Sequence, residues 1–162
     1  MVRVMDIRGM PVISLQDGRR LGFLAGSVFD TNDCLTGFLL ESKSPFTSRK
    51  YIALDNILRV DKNSCVVYNE HSLEKMPDKT AHKRRSGYED MLGRDVKSSG
   101  GKNLGVVKDL VYSTETGTIE GLELSKGFME DAIDGRNVVM VRDGIEVAEE
   151  FIVVGREKNE EQ

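Results

Sequence analysis

The feature that most constrains the fold is an internal repeat, because both halves of the 162-residue chain carry glycine and aliphatic positions in the same order. The stretch that begins at Asp6 aligns with the stretch that begins at Asp90 when the chain is shifted by about 84 positions. Near the end of each copy, Cys65-Val66-Val67 aligns with Ile152-Val153-Val154, after small length changes that fall in loops. Self-similarity over such a distance indicates two structural units of one kind.

Short apolar runs separated by turn residues predict strands within each copy. Asp17-Gly18 suits a tight hairpin, and its counterpart in the second copy is Gly100-Gly101. Gly22 and Gly105 lie at equivalent positions in the strands that follow, where a glycine is typical of a bulge or a sharp bend. The pattern predicts an all-β chain, with a small barrel or sandwich in each copy.

The segment between the copies reads as a linker, because it contains Pro77, both histidines, many charges and few apolar residues. We therefore predict a first domain at 1–68, a linker at 69–87, a second domain at 88–155 and a charged, disordered tail at 156–162. A domain of this size buries a modest share of its surface and is marginally stable alone. We expect the copies to pack together or the chain to form a homo-oligomer.

The order of residues in the second copy resembles that of the PRC-barrel family. It is carried by Met91-Leu92-Gly93, Val96, Gly101-Lys102, Leu104 to Asp109, Glu115-Thr116-Gly117 and Gly121-Leu122. The first copy is looser: it keeps Gly9, Val12, Asp17-Gly18, Leu21-Gly22 and Gly37, but has Ala25-Gly26 where the second has Lys108-Asp109. The resemblance implies two tandem small antiparallel β-barrels of the stand-alone prokaryotic type.

Members of this family occur in the cytoplasmic part of the photosynthetic reaction centre H subunit and in the C-terminal domain of a ribosome maturation factor. We expect this chain to lack the membrane helix of the first and the separate N-terminal domain of the second, so neither role transfers. A shared fold is by itself a weak argument for a shared function.

Composition narrows the functional class. The chain has no run of 18 apolar residues, which excludes a membrane-spanning helix, and its first residues lack the apolar core of a secretory signal. Cys34 and Cys65 are too few for a disulfide framework, so we expect reduced thiols and a cytoplasmic location. The formal charge is +2 over 1–68, +2 over 69–87 and −8 over 88–162, which makes the second half a poor match for a nucleic-acid backbone.

The short motifs predict structure more readily than chemistry. Gly100-Gly101-Lys102 lacks the spacing of a phosphate-binding loop, and the segment 30–33 lacks the alternating acids of a calcium loop. His71 and His82 have no neighbouring ligands at metal spacing, and the chain has no Ser-centred nucleophile elbow. We therefore expect no enzymatic activity, no catalytic residue, no cofactor and no metal.

Two charged clusters are the candidate interaction sites. One is the basic run Lys83, Arg84 and Arg85 in the linker, and the other is the acidic group Glu130, Asp131 and Asp134 in a loop of the second copy. The favoured hypothesis is a non-enzymatic binding or assembly module that contacts a protein partner, with ribosome- or RNA-associated proteins as the first partner class to consider. The alternative is direct RNA binding through the basic linker, and the least favoured is an enzyme or small-ligand carrier with a site between the barrels.

Overall fold

Strands make up most of the regular structure in the computed structural model, which describes residues 1–30, 32–42, 44, 49–76, 90–125, 137–141, 145–148 and 150–155. In the described part of the chain, 3-10 turns occur at Val4–Asp6, Leu54–Asn56 and Glu70–Ser72. The chain divides into two units. Unit 1 comprises residues 1–86 and 112–118, and unit 2 comprises residues 87–111 and 119–162. The predicted β class is confirmed.

Unit 1 contains a seven-stranded sheet with the order β6-β7-β2-β3-β4-β5-β8. The strands of this unit are β1 (Val2–Arg3), β2 (Pro11–Ser14), β3 (Arg20–Phe29), β4 (Leu35–Leu40), β5 (Lys50–Ala53), β6 (Ile57–Val60), β7 (Cys65–Val67) and β8 (Glu74–Lys75). β2 and β7 are parallel, and the other neighbouring strands of this sheet are antiparallel. The fully buried side chains Val12, Leu24, Phe38 and Ile52 place the core on one face of these strands.

Unit 2 repeats this order with its own strands. They are β9 (Asp95–Ser98), β10 (Asn103–Tyr112, with Tyr112 counted in unit 1), β11 (Ile119–Ser125), β12 (Val138–Met140), β13 (Ile145–Val147) and β14 (Phe151–Val154). Their order is β13-β14-β9-β10-β11-β12, and β14 runs parallel to β9. The core contains Val96, Leu110, Leu122 and Ile152, all fully buried.

The predicted glycine bends are confirmed in both units. The register shifts where β2 meets Gly22 and where β9 meets Gly105, and these glycines have φ values of 157° and 139°. The two predicted hairpin turns are also present, and their glycines, Gly18 and Gly101, have φ values of 70° and 85°. A side chain at these positive φ values is unfavourable, which explains why both copies place glycine there.

The first part of the predicted linker is ordered and belongs to unit 1. The Asn69 side chain accepts a hydrogen bond from the backbone N–H of His71 (2.9 Å) and caps the turn Glu70–Ser72. β8 then pairs antiparallel with β5. A strand of two residues leaves no periodic signal in the sequence, because it is held by pairing with a distant strand. The rest of the linker, 77–87, and the tail, 156–162, lie outside the described part, and the domain boundaries stay a prediction.

Residues 112–118 come from the second half of the sequence but belong to unit 1. The rings of Phe29 and Tyr112 lie with their centroids 5.2 Å apart, tilted by 53°. The backbone N–H of Leu35 donates to the carbonyl oxygen of Gly117 at 2.8 Å. A Cβ atom on Gly117 would overlap the Leu35 carbonyl oxygen, and Gly117 has a φ of 74°. This turn therefore requires glycine for two separate reasons.

Candidate functional site

The outer face of unit 1 is built from β2 and β7, the parallel pair. Along β2, Val12 and Ser14 are buried, so Ile13 lies on the opposite face, and Leu15, the residue that follows the strand, is exposed. The register places Ile13 beside Val66. Backbone hydrogen bonds continue the pairing past the strand ends, from Leu15 N–H to the Val67 carbonyl (2.8 Å) and from Gln16 N–H to the Tyr68 carbonyl (3.0 Å). Leu15 and Tyr68 are therefore neighbours on this face.

The edge strand β6 adds a third apolar side chain through a β-bulge. Ile57 pairs with Val67 and Arg59 pairs with Val66, so Leu58 is the extra residue between them. The counterpart edge strand in unit 2, β13, pairs with β14 without such a shift. Among the paired residues that the structure describes in β13 and β14, the bulge at Leu58 has no counterpart.

We call the set Ile13, Leu15, Leu58, Val66 and Tyr68 the apolar patch. Leu15 is 62% exposed, and Leu58 and Tyr68 are each 55% exposed. Single exposed apolar side chains are ordinary on protein surfaces, whereas contiguous ones mark interaction sites. The patch joins the end of β2 with β6 and β7, two strands that come much later in the sequence.

Charged residues frame the apolar patch at the two ends of β7. At the end where the chain leaves β7, Arg19 lies 3.8 Å from Asp17 and 3.8 Å from Glu70. At the end where the chain enters β7, Arg59 lies 3.6 Å from Asp61, and Lys62 is exposed next to them. Arg20, which is exposed and pairs with Ile13, also lies at the first end, so that end has two cations and two carboxylates, whereas the second end carries one surplus positive charge.

Asp17 and Asp61, the two aspartates at the ends of β7, are stabilised in their charged form. The backbone N–H of Arg19 donates to Asp17 Oδ1 at 3.1 Å, and this hydrogen bond lowers the pKa of Asp17 below its ordinary value. The backbone N–H groups of Asn63 and Ser64 donate to Asp61 Oδ1 at 2.8 and 2.9 Å and lower the pKa of Asp61. Asp17 and Asp61 therefore stay negatively charged at neutral and mildly acidic pH.

The equivalent face of unit 2 is less apolar, although Val153 takes the place of Val66 there and Phe151 also lies on it. Where the first copy has Ile13, Leu15 and Tyr68, the second has Lys97, Ser99 and Gly155. The Lys97 ammonium lies over the Phe151 ring, 4.8 Å from its centroid, and so covers the aromatic side chain of this face. The fold therefore does not itself require apolar residues at these positions.

The cysteines do not form reactive sites. Cys65 is fully buried, and burial raises its pKa to about 12. Burial is also the largest cause that raises the pKa of Cys34, followed by the charges of Asp30 and Asp33. Both side chains are thiols at neutral pH, and a thiol is a weak nucleophile and a weak metal ligand.

The other motifs singled out in the sequence have structural roles where the structure describes them. Gly100-Gly101-Lys102 forms a hairpin turn in which the Ser98 side chain accepts from the Lys102 N–H at 3.1 Å. Asp30 Oδ1 accepts from the backbone N–H groups of Asn32 and Cys34 at 2.8 and 3.1 Å. These hydrogen bonds stabilise the turn between β3 and β4. Among the described residues, no three His, Cys, Asp or Glu side chains are grouped as metal ligands.

The predicted interaction residues lie outside the described residues. These are Lys83, Arg84 and Arg85 in the basic run and Glu130, Asp131 and Asp134 in the acidic loop. His82 lies outside the described residues as well. Sequence reasoning missed the apolar patch. The signal that could have found it was the exchange of Ile13 and Leu15 for Lys97 and Ser99 between aligned copies.

Comparison with known proteins supports the assignment of the second half. Residues 84–154 match the PRC-barrel domain family, so the prediction of a PRC-barrel domain there is confirmed. The chain is 28% identical over 153 residues to the uncharacterized protein YrrD of Bacillus subtilis (strain 168), a match that covers 92% of this chain and 84% of that protein. In the described part of the chain, no helix has the length and hydrophobicity needed to cross a membrane.

Proposed function

We propose that this chain is a non-enzymatic binding or assembly module, and that a protein partner binds the apolar patch of unit 1. One observation carries the proposal: Ile13, Leu15 and Tyr68 are apolar on this face of unit 1, and none of their three counterparts in unit 2 has an apolar side chain. An exposed leucine that the fold does not need adds a tendency to aggregate without adding stability. A partner that covers the patch accounts for its presence.

We also propose that the first copy is a second PRC-barrel-like domain, so that the chain holds two in tandem. The shared strand order and the parallel pairs β2·β7 and β9·β14 support this. The registers support it as well, since Val12 lies opposite Cys65 and Val96 lies opposite Ile152. Equivalent positions in the repeat are thus paired in the same way.

The expected strength of binding follows from the exposed area of the patch. Complete burial of a large apolar side chain is worth about 1.5–3 kcal/mol. Leu15, Leu58 and Tyr68 are each somewhat more than half exposed, so covering all three contributes about 3–5 kcal/mol. This corresponds to a factor of roughly 100 to 5,000 in affinity, enough to decide whether a complex forms.

The test is affinity purification from a native extract with the full chain as bait. Three baits are compared: the parent, the double variant Leu15→Ser with Tyr68→Ser, and the control Val147→Ser. Val147 is a matched control because it is also half exposed, at 50%, but lies on unit 2. We expect a protein that the parent and the control recover and the double variant loses. Identical recovery by all three folded baits would contradict the proposal.

The resemblance to a domain of a ribosome maturation factor makes a ribosome- or RNA-associated protein the first partner class to test. The basic run Lys83 to Arg85 supports a second candidate function, which is direct RNA binding. Lys83, Arg84 and Arg85 give three adjacent cations in a segment of net charge +2. Replacing all three with Gln should lower the slope of log affinity against log salt by about 2 for single-stranded RNA. An unchanged slope, measured by fluorescence anisotropy beside a Lys102→Gln control, would exclude this candidate.

A further inference from the structure

We infer that the hairpin 112–118 couples the two units, so that unfolding of unit 2 removes part of the core of unit 1 and the two units unfold together. The inference concerns the fold that carries the apolar patch and does not depend on which partner binds there. It makes a folded unit 2 a condition for binding, because the apolar patch exists only while unit 1 is folded.

The boundary between the units lies within strand β10 as well as in the segment between the copies. β10 runs without interruption from Asn103 to Tyr112, and its last residue belongs to unit 1. Leu110 is fully buried and belongs to unit 2, whereas Tyr112 is fully buried and belongs to unit 1. Units that unfold independently are usually joined by exposed segments that few contacts cross. One residue, Val111, separates these two buried side chains, so the chain has no room for such a segment here.

The hairpin 112–118 supplies core to unit 1. The ring of Tyr112 is fully buried, with its centroid 5.2 Å from that of Phe29. The backbone N–H of Leu35, whose residue is 3% exposed, donates to the Gly117 carbonyl oxygen at 2.8 Å. Loss of a fully buried aromatic side chain typically lowers the ratio of folded to unfolded protein by about a hundredfold or more. Unit 1 without residues 112–118 is therefore much less stable than unit 1 with them.

The structure of the hairpin depends in turn on unit 2. The backbone N–H of Ser113 donates to the Thr118 carbonyl, and that of Gly117 donates to the Ser113 carbonyl, both at 2.9 Å. Beyond this turn, β10 and β11 pair with each other and with β9 and β12 in the sheet of unit 2. A two-stranded hairpin without further strands is marginally stable in water. When β10 and β11 unfold, the hairpin therefore loses its structure and no longer places Tyr112 in the core of unit 1.

Thiols at equivalent positions can report on the two units separately. Cys65 is fully buried in unit 1, and burial raises its pKa to about 12, so it reacts with a thiol reagent when unit 1 opens. Ile152 lies at the aligned position of unit 2 and is also fully buried. Cys34→Ser leaves Cys65 as the only thiol of the chain. Adding Cys65→Val and Ile152→Cys moves that thiol to unit 2.

The experiment measures the rate at which dithionitrobenzoate labels each single-thiol chain, with and without Leu122→Ala. Leu122 is fully buried in unit 2, and a leucine-to-alanine change in a core raises the population of the open state at least roughly thirtyfold. We expect the same increase at residue 152 and at Cys65. Leu122→Val removes one methylene group and should raise both rates about fourfold, which keeps the test decisive if Leu122→Ala does not fold.

The comparison of the two thiols decides the inference. Equal increases support the coupling, and the control Val147→Ser, at a half-exposed position of unit 2, should change neither rate. An increase at residue 152 alone, or a clearly smaller one at Cys65, overturns the inference. The assay contains no partner, so its result is independent of the affinity purification. Equal increases together with no recovered partner would leave this inference standing and the proposed function wrong.

Discussion

Gly117→Ala tests whether the turn 113–118 is an integral part of unit 1. Gly117 has a φ of 74°, in the left-handed region, and a Cβ atom there would overlap the carbonyl oxygen of Leu35. The backbone of Gly117 also accepts the hydrogen bond from Leu35 N–H at 2.8 Å. The substitution therefore imposes an unfavourable backbone conformation and a steric overlap at a site that cannot easily move.

The magnitude follows from these two costs. An alanine in the left-handed region costs about 1–2 kcal/mol, and overpacking a fixed site costs about 1–3 kcal/mol more. We expect the free energy of unfolding to fall by about 2–5 kcal/mol. Gly101→Ala is the matched control, since Gly101 has a φ of 85° and a Cβ atom added to it would have no neighbour within 4 Å. It should lose only the conformational part, about 1–2 kcal/mol.

Urea unfolding followed by circular dichroism measures both variants against the parent. At constant slope, the Gly117→Ala midpoint should fall below that of Gly101→Ala, and the thermal midpoints should differ by about 2–4 °C per kcal/mol. The difference between the two variants isolates the contact with Leu35. Equal losses would refute the placement of residues 112–118 in unit 1.

Three further predictions concern the stability of unit 1. Gly37→Ala should cost about 1–3 kcal/mol in urea unfolding, because its Cβ would overlap the Ile52 carbonyl, whereas Gly26→Ala, with nothing within 4 Å, should be neutral or slightly stabilising. Burial raises the pKa of Cys65 from 9.0 to about 12, so the folded state resists ionisation and stability should fall between these pH values by up to about 1.4 kcal/mol per pH unit, a slope that Cys65→Ala should lack. Tyr51→Phe should lose about 1 kcal/mol, measured by the same unfolding assay, because the Tyr51 hydroxyl donates to the Thr36 carbonyl at 2.8 Å.

The elements that sequence predicted are those specified by local chemistry. The turns at Gly18 and Gly101 and the bends at Gly22 and Gly105 each depend on a backbone conformation that one residue type favours. Asp33 has a φ of 60° where the aligned position in the second copy is Gly117. Aspartate tolerates this region, so the same turn forms from different residues.

The elements that sequence missed depend on pairing between distant residues. The parallel pair β2·β7 brings Val12 opposite Cys65, and no local pattern near either residue predicts that partner. The same pairing brings Leu15 beside Tyr68 and thereby creates the apolar patch. Each residue alone is an ordinary exposed side chain, so its significance depends on a neighbour more than fifty positions away.

A repeat within one chain separates the requirements of the fold from those of binding. Positions that keep their character in both copies, such as Val12 and Val96 in the core, meet a common structural need. The outer face does not keep its character: Leu15 corresponds to Ser99. Because both units have the same strand order, the difference cannot be attributed to the architecture. The patch is therefore where unit 1 departs from what its fold requires, and the binding partner that we propose would give that departure a physical cause.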